Sequence, residues 1–334
     1  MSKNFVRQNK ATKEWVIYAS SRGNRPKDFK QKQKSLQQIQ KRDEDCPFCP
    51  GNEAMLPEII SERSDSSGQN WQTRIVPNKY PALVPNGNTH RSQEGIYLTM
   101  PGYGTHEVII EDQQHDRTIA TMPLQAVETL IETYHQRYVE LMSRHRNMLT
   151  IIFRNHGARA GTSLIHPHSQ LIVTGFVPRH FRWREEQAQR YFDQYGSCVF
   201  CDILKFESDY QTRIIAKTST MTAFIPYHAE VPFEIWIMPN RHQADFGAVS
   251  ENEKRDLAQV LKEILRKLHI KLNNPDYNYI INTAARYKAG EPQLHWYLQI
   301  RPRLTTPAGF EIGSGISINP SIPENDAEFL KEAD

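Results

Sequence analysis

The chain has 334 residues, a length that suits two domains or one large sheet around a common core. Charged residues make up 24% and hydrophobic residues 38%, as in ordinary soluble globular proteins, which argues against a disordered or membrane chain. The formal net charge of +3 arises from 41 basic and 38 acidic residues. This balance argues against a nucleic-acid-binding protein and is compatible with a small anionic substrate.

Sequence signals for export or membrane insertion are missing. The first ten residues lack the apolar core of a signal peptide, and no apolar run approaches the roughly 20 residues that cross a bilayer. We therefore expect a cytoplasmic protein that does not bind a membrane. In that compartment thiols stay reduced, which bears on the cysteines described below.

Helices and loops are predicted from the spacing of apolar residues. Residues 30–41 are rich in Lys and Gln without periodicity and are predicted to form a surface loop, a basic patch for nucleic acid being the alternative. Apolar residues recur at three- and four-residue steps from Leu124 to Leu141 and from Leu257 to Leu272. These patterns predict two amphipathic helices, with Pro123 in the first turn of one and 273–275 ending the other.

Short β-branched segments flank the two helices and predict strands. They are Val108–Ile110, Thr150–Phe153, Leu171–Thr174 and Tyr279–Ile281. Each half of the chain is therefore predicted to be an α+β unit with a mostly antiparallel sheet.

The same succession of motifs occurs twice, which indicates a duplicated chain. In each half a CxxC pair is followed by a strand, a histidine, a helix, an asparagine and a segment that begins with His and ends with Gln. His115 and His166 are 51 positions apart, and His242 and His295 are 53 apart. We place the halves at residues 1–180, which carry the catalytic motif, and 181–334, where the motif is degenerate.

All four cysteines belong to the two CxxC pairs. In a cytoplasmic chain this spacing favours metal over a disulfide, with paired core cysteines as the alternative. Two thiolates and two imidazoles make a closed tetrahedral site of the structural type. We predict two structural zinc ions per chain, one held by Cys46, Cys49, His115 and His166 and the other by Cys198, Cys201, His242 and His295.

The segment from His166 to Gln170 carries the predicted chemistry. A strand puts positions 166, 168 and 170 on one face. An imidazole bound to zinc has no lone pair left to attack phosphorus, whereas a free neutral imidazole is a nucleophile at pH 7. We therefore assign His166 to zinc and His168 to nucleophilic attack, with Gln170 donating N–H groups to phosphate oxygens. Two surface histidines are the alternative interpretation.

Two further observations favour an active site here. Gly157 and Gly161 precede the segment and would let backbone N–H groups approach an anion. The second copy, from His295 to Gln299, keeps the first His and the Gln but has Tyr297 in the middle. One active site per duplicated chain is therefore expected.

These motifs resemble those of the galactose-1-phosphate uridylyltransferase family, a branch of the histidine-triad superfamily, over nearly the whole chain. The matching stretches are Glu14–Trp15, Arg22–Pro26, Cys46–Cys49, Asn78–Leu83, His115 and Asn155–Gln170. The resemblance implies that His168 becomes nucleotidylated, that Gln170 holds the transferred phosphoryl group and that His166 binds zinc. It also implies nucleotide or phosphate contacts at Arg22, Arg25, Asn78, Asn155, Gly161 and Ser163.

The same resemblance implies an architecture. Two duplicated histidine-triad-like halves would each form an antiparallel half-barrel sheet with flanking helices. The protein would be a homodimer with its active site near the subunit interface.

The C-terminal stretch departs from the family pattern. Phe310 and Glu311 stand where the family has a Tyr-Glu pair that binds the second substrate, and no Gln follows in residues 316–323. Ser169 follows the predicted nucleophile where well-known uridylyltransferases have Gly or Cys. The second half looks more like the plant ADP-glucose phosphorylase branch.

We expect ping-pong transfer of a nucleoside monophosphate from a nucleoside diphosphate sugar to a small anionic acceptor. A hexose-1-phosphate uridylyltransferase, acting on UDP-glucose and galactose-1-phosphate, is the first candidate. The alternative is an adenylyl transferase or phosphorylase that uses ADP-glucose or adenylyl sulfate with phosphate or sulfate, followed by a nucleotide-conjugate hydrolase. A zinc-stabilised RNA-binding module is disfavoured by the near-neutral charge.

Overall fold

A computed structural model describes residues 4–19, 29, 40–65, 68, 70–86, 90–144 and 147–332. Its strands are β1 (Phe5–Gln8), β2 (Trp15–Tyr18), β3 (Ser61–Ser64), β4 (Trp71–Pro77), β5 (Ser92–Glu94), β6 (Tyr97–Thr99), β7 (Gly104–Ile110), β8 (Leu149–His156), β9 (His168–Thr174), β10 (Ile214–Lys217), β11 (Met221–Phe224), β12 (Ile235–Pro239), β13 (Tyr277–Asn282), β14 (Tyr297–Pro302) and β15 (Ser317–Asn319). Its α-helices are α1 (Leu124–Ser143), α2 (Arg179–Tyr195), α3 (Val199–Tyr210), α4 (Glu251–Leu272), α5 (Gly309–Ser314) and α6 (Pro323–Lys331).

Ten strands form one antiparallel sheet in the order β10-β11-β12-β14-β13-β8-β9-β7-β4-β3. Five strands come from each half of the chain, and the halves meet where β8 pairs with β13. In that pairing Asn278 lies opposite Asn155, and Ile281 lies opposite Ile152. The predicted α+β class with antiparallel sheets is confirmed. The proposed boundary after residue 180 falls at the start of α2, and the sheet continues across it.

Both predicted amphipathic helices are present, and they cover the same face of the sheet. The apolar residues of α1 and α4 form the main core together with sheet residues such as Ile109, Leu171 and Ile300. The side chains of Ser250 and Glu253 cap the first turn of α4. Asn273 ends the helix in the left-handed conformation, at a φ of 59°.

A buried polar cluster joins the two halves beneath the sheet. The Arg154 guanidinium on β8 pairs with the Glu111 carboxylate at 2.9 Å and donates to the Tyr277 hydroxyl on β13 at 3.1 Å. The Tyr134 hydroxyl on α1 lies 2.7 Å from the Ser169 hydroxyl on β9 and also contacts the Tyr279 hydroxyl. This cluster thus fixes α1, β9 and β13 relative to one another.

Some predicted features lie outside the described residues. They include residues 30–39 of the predicted loop, as well as Arg22 and Arg25. Within the described part of the chain, no helix has the length and apolar character needed to cross a membrane.

The buried ion pair gives the first testable prediction. Glu111→Gln leaves the Arg154 guanidinium buried without a counter-charge, so we expect a loss of about 3–5 kcal/mol in the free energy of unfolding. Arg144→Gln is the control, because the Arg144–Glu140 pair is exposed and should contribute less than about 1 kcal/mol. Denaturant titration measures both, and equal losses would contradict the assigned role of the buried pair.

Candidate active site

The face of the sheet opposite the helices α1 and α4 carries the predicted site residues. Ser169 points toward α1, so its neighbours His168 and Gln170 point to the other face. Phe153 on β8 lies opposite Gln170, and Asn278 on β13 lies opposite Asn155. Because side chains alternate along a strand, Asn155 and Asn278 share the face of His168 and Gln170.

His168 has one nitrogen fixed and the other available. Its Nδ1 lies 2.8 Å from the backbone carbonyl oxygen of His166. A carbonyl only accepts, so Nδ1 carries the proton and Nε2 carries the lone pair. Burial lowers the pKa of His168, which favours the neutral ring at pH 7. The ring packs edge-on against Phe48, with centroids 5.3 Å apart.

The carboxamide of Gln170 is oriented by His106, a residue for which the sequence analysis proposed no role. The backbone N–H of Ala82 donates to His106 Nδ1 at 3.1 Å, so the proton is on Nε2. Nε2 lies 2.8 Å from Gln170 Oε1, and the Asn78 amide also reaches that oxygen, at 3.5 Å. With its oxygen occupied, Gln170 has its NH₂ group left to donate to a ligand.

The alternation of side chains along a strand indicates which face of the sheet His106 occupies. On β7, His106 lies opposite Ile172 and Val108 lies opposite Gln170, so His106 shares the face of Gln170. The predicted nucleotide residue Asn78 contacts this pair, because its Nδ2 lies 3.2 Å from His106 Nε2 and 3.5 Å from Gln170 Oε1.

The two glycines before β9 differ in their surroundings. Both have positive φ, 84° for Gly157 and 88° for Gly161. A Cβ on Gly157 would lie 2.1 Å from the Asp276 carboxylate, which also accepts the Arg159 backbone N–H at 2.7 Å. A Cβ on Gly161 would meet nothing within 4 Å. Space for a ligand is therefore found beside Gly161, whereas Asp276 occupies the space beside Gly157.

Asn155 and Ser163 border the same loop. Asn155 accepts a hydrogen bond from Asn278 through its Oδ1, at 2.8 Å, which leaves its own NH₂ group to donate. Ser163 is exposed. Both side chains can therefore serve an anion held beside Gly161.

The first predicted metal group converges in the structure. Cys46, Cys49, His115 and His166 are all buried, and their ligand atoms lie within 4.8 Å of one another. Cys49 Sγ is 3.5 Å from the Nδ1 atoms of both histidines. His166 Nε2 lies 2.8 Å from the Asp112 carbonyl oxygen, so Nδ1 is left to bind a cation. Two thiols and two imidazoles suit a tetrahedral metal ion.

The second predicted group converges only in part. Cys198, Cys201 and His242 bring their ligand atoms within 4.8 Å, with Cys201 half-buried and His242 exposed. His295 lies outside this group, although its ring is only 5.5 Å from that of His242. Its Nδ1 contacts the Trp296 carbonyl oxygen at 2.9 Å, and its buried Nε2 has no hydrogen-bond partner among the described residues. The fourth ligand thus stays a prediction.

The middle position of the second copy is filled by protein. Tyr297 is buried, stacks on Trp236 with centroids 4.3 Å apart and lies 3.5 Å from the Arg184 guanidinium. Gln299 donates its amide to the Glu234 carboxylate at 2.7 Å. The polar groups that correspond to His168 and Gln170 are therefore satisfied internally.

The predicted second-substrate residues lie on α5. Phe310 is 52% exposed, so its ring is available to a ligand or partner. Glu311 accepts the backbone N–H groups of Ala308 and Ile318, at 2.9 and 3.0 Å. Its carboxylate therefore holds the local backbone of α5 and β15.

Comparison with known proteins agrees with this architecture. Models of the galactose-1-phosphate uridyl transferase N-terminal and C-terminal domains match residues 1–178 and 184–302. The ADP-glucose phosphorylase of Arabidopsis thaliana is 35% identical over 334 residues, 98% of this chain and 92% of that protein. Galactose-1-phosphate uridylyltransferase of Thermotoga maritima is 26% identical and covers 98% of both chains.

A solved structure gives the same result. The crystal structure of an ADP-glucose phosphorylase from Arabidopsis thaliana with bound ADP-glucose has a TM-score of 0.84 at 30% identity, covering 100% of this chain and 99% of that one. Fold and relatives together define a nucleotidyltransferase. The chain belongs to the galactose-1-phosphate uridyl transferase family, as its motifs predict.

The two Cys/His groups give a prediction about metal binding. Metal-free protein titrated with Co²⁺ should develop thiolate-to-metal absorption from about two sites per chain, and Cys46→Ser should remove one of them. A chelator should empty the group with exposed His242 before the buried group of His115. Stopped-flow absorption measures both phases. Equal release rates, or no thiolate band, would contradict the prediction.

Proposed function

We propose that the protein transfers a nucleoside monophosphate through a covalent intermediate on His168. The observation that carries this proposal is the pair of His168 and Gln170 on one face of β9. His168 keeps a lone pair on Nε2, because its Nδ1 proton is held by the His166 carbonyl. Gln170 directs its NH₂ group to the same side, because His106 occupies its oxygen.

The geometry supports a two-step displacement. Nε2 of His168 attacks the α-phosphorus of the donor, a P–N bond forms, and the sugar phosphate leaves with the electron pair of the broken P–O bond. An acceptor oxygen then attacks the same phosphorus, and the electron pair of the P–N bond returns to Nε2. The Gln170 amide stabilises charge on the nonbridging oxygens in both steps. Asn155, Gly161 and Ser163 line the phosphate side, and Asn78 supports Gln170.

We propose ADP-glucose as the donor and inorganic phosphate as the acceptor. The sequence identity to the ADP-glucose phosphorylase is 35%, whereas the identity to the Thermotoga maritima uridylyltransferase is 26%. This favours the alternative substrate pair over the UDP-glucose and galactose-1-phosphate pair. The uridylyl reaction stays the second candidate because both relatives span nearly the whole chain. Phe310 and Glu311 are proposed to contact the second substrate, and Arg22 and Arg25 the nucleotide.

Two further features belong to this proposal. Zinc is the proposed occupant of both Cys/His groups, where its role would be structural, because closed sites of thiolates and imidazoles leave no position for substrate. Residues 1–180 would supply the catalytic groups, and residues 181–334 would support them. We also propose a homodimer, to which the exposed Phe310 could contribute.

The nucleophile is tested by labelling. Protein incubated with ADP-glucose labelled at the α-phosphate should retain label, and UDP-glucose should label it more weakly. His168→Ala should abolish the label while leaving metal content and unfolding unchanged, because Nε2 forms the bond. The control is His180→Ala, an exposed histidine on α2, which should label normally. Label on folded His168→Ala would overturn the assignment, and preferential labelling by UDP-glucose would restore the uridylyl candidate.

The orientation of Gln170 is tested through His106. His106→Leu removes the donor to Gln170 Oε1, so the amide can rotate, and we expect kcat to fall about tenfold to hundredfold. His106→Gln can donate to that oxygen and accept from Ala82, so it should recover part of the loss. A structural effect alone would lower the unfolding temperature of both variants equally, without a difference in kcat between the folded fractions.

A further inference from the structure

One arginine beside the phosphate loop, Arg303, bonds through its side chain to an amide rather than to a carboxylate. Arg303 follows β14 and is half-buried. Its backbone N–H donates to the Asp276 carbonyl oxygen at 2.7 Å. Its Nε donates to Asn278 Oδ1. Within the described part of the chain, its guanidinium forms no ion pair with a carboxylate. Burial and the charge of Arg301 both lower the pKa of Arg303, as expected for a cation that lacks a counter-ion.

Two neighbouring arginines on the sheet are neutralised. Arg154 pairs with Glu111 at 2.9 Å, and Arg301 pairs with Glu230 at 2.7 Å. Both are therefore committed to structural ion pairs. Arg303 differs from them because, among the described residues, only its Nε has a side-chain partner, so the two terminal NH₂ groups have donors to offer.

A short relay links Arg303 to the loop around Gly161. Asn278 accepts from Arg303 and donates to both the Asn155 Oδ1 and the Ala160 carbonyl oxygen, at 2.8 and 2.9 Å. Alternation puts Asn278 on the face of His168. The guanidinium thus borders the phosphate side of the site, and the second half of the chain supplies it.

We propose that Arg303 binds the phosphate dianion of the acceptor. This inference rests on the proposed function and names a cation for its second step. The planar fork of an arginine matches two phosphate oxygens, and a doubly charged acceptor needs positive charge close to the amides and imidazoles of the site. The ligand is the dianion shared by inorganic phosphate and a sugar phosphate.

The step itself is balanced. An oxygen of the bound acceptor attacks the α-phosphorus carried by His168, a P–O bond forms, and the P–N electron pair returns to Nε2. With inorganic phosphate the product is a nucleoside diphosphate. Arg303 neither accepts a proton nor forms a covalent bond in this step. Its guanidinium holds the acceptor and offsets the negative charge of the phosphate.

The test separates the two half-reactions. Labelled protein is prepared with ADP-glucose, freed of donor and mixed with inorganic phosphate or glucose-1-phosphate. Arg303→Gln should form label at saturating donor within about threefold of the native rate, because the rest of the donor still binds. Its second-order rate constant for discharge should fall at least about tenfold with either acceptor. Arg303→Lys should lie between, and the exposed Arg255→Gln should match the native protein.

The outcomes distinguish the inference from the function on which it rests. If the native protein takes no label, the proposed function fails. If label forms and Arg303→Gln discharges it at the native rate, only the role of Arg303 is overturned. A loss confined to glucose-1-phosphate would also overturn it, since that pattern points to sugar hydroxyls. Arg303→Met, which keeps the apolar stem, replaces Arg303→Gln if the latter fails to fold.

Discussion

The pairing of β8 with β13 is the constraint on which the rest of the structure depends. It turns two five-stranded sheets into one and places Asn278 directly opposite Asn155. Above the sheet, that contact lets the second half hold the phosphate loop through Asn278 and Asp276. Below the sheet, it allows Tyr279 to meet Tyr134 under the strand of His168. A slip of one residue would move these side chains to the wrong faces.

Hydrogen bonds to the backbone decide what each imidazole can do. The Asp112 carbonyl holds the Nε2 proton of His166 and leaves Nδ1 for a metal ion. The His166 carbonyl holds the Nδ1 proton of His168 and leaves Nε2 toward the open face. Opposite tautomers thus separate two roles within three residues. His106 shows the third case, in which a backbone donor sets the tautomer that orients a neighbouring amide.

Local patterns predicted the part of the site that lies on one strand or one motif. Alternation along β9 was enough to predict that His168 and Gln170 lie on one face. The matched CxxC and His spacings predicted the first Cys/His group, which converges in the structure. Asp276, Asn278 and Arg303 carry no such signal, because their role arises from a strand pairing between distant segments. The ring of the predicted ligand His295 lies 5.5 Å from that of His242, and the contact of its Nδ1 with the Trp296 carbonyl oxygen orients it. The sequence around Gly157 did not indicate that this residue packs against Asp276, because Asp276 is distant along the chain.

The duplicated motif has different polar surroundings in the second half. A polar pocket that binds no ligand must satisfy its own donors and acceptors, or lose stability through buried unpaired groups. In the second half Glu234 accepts from Gln299, and Arg184 donates to Asn282 at 2.7 Å. These are the positions of Gln170 and Asn155 in the first half, where the corresponding NH₂ groups face the open side. The second half contributes to the first in another way, because Asp276 and Asn278 at the start of β13 contact the loop that contains Gly161.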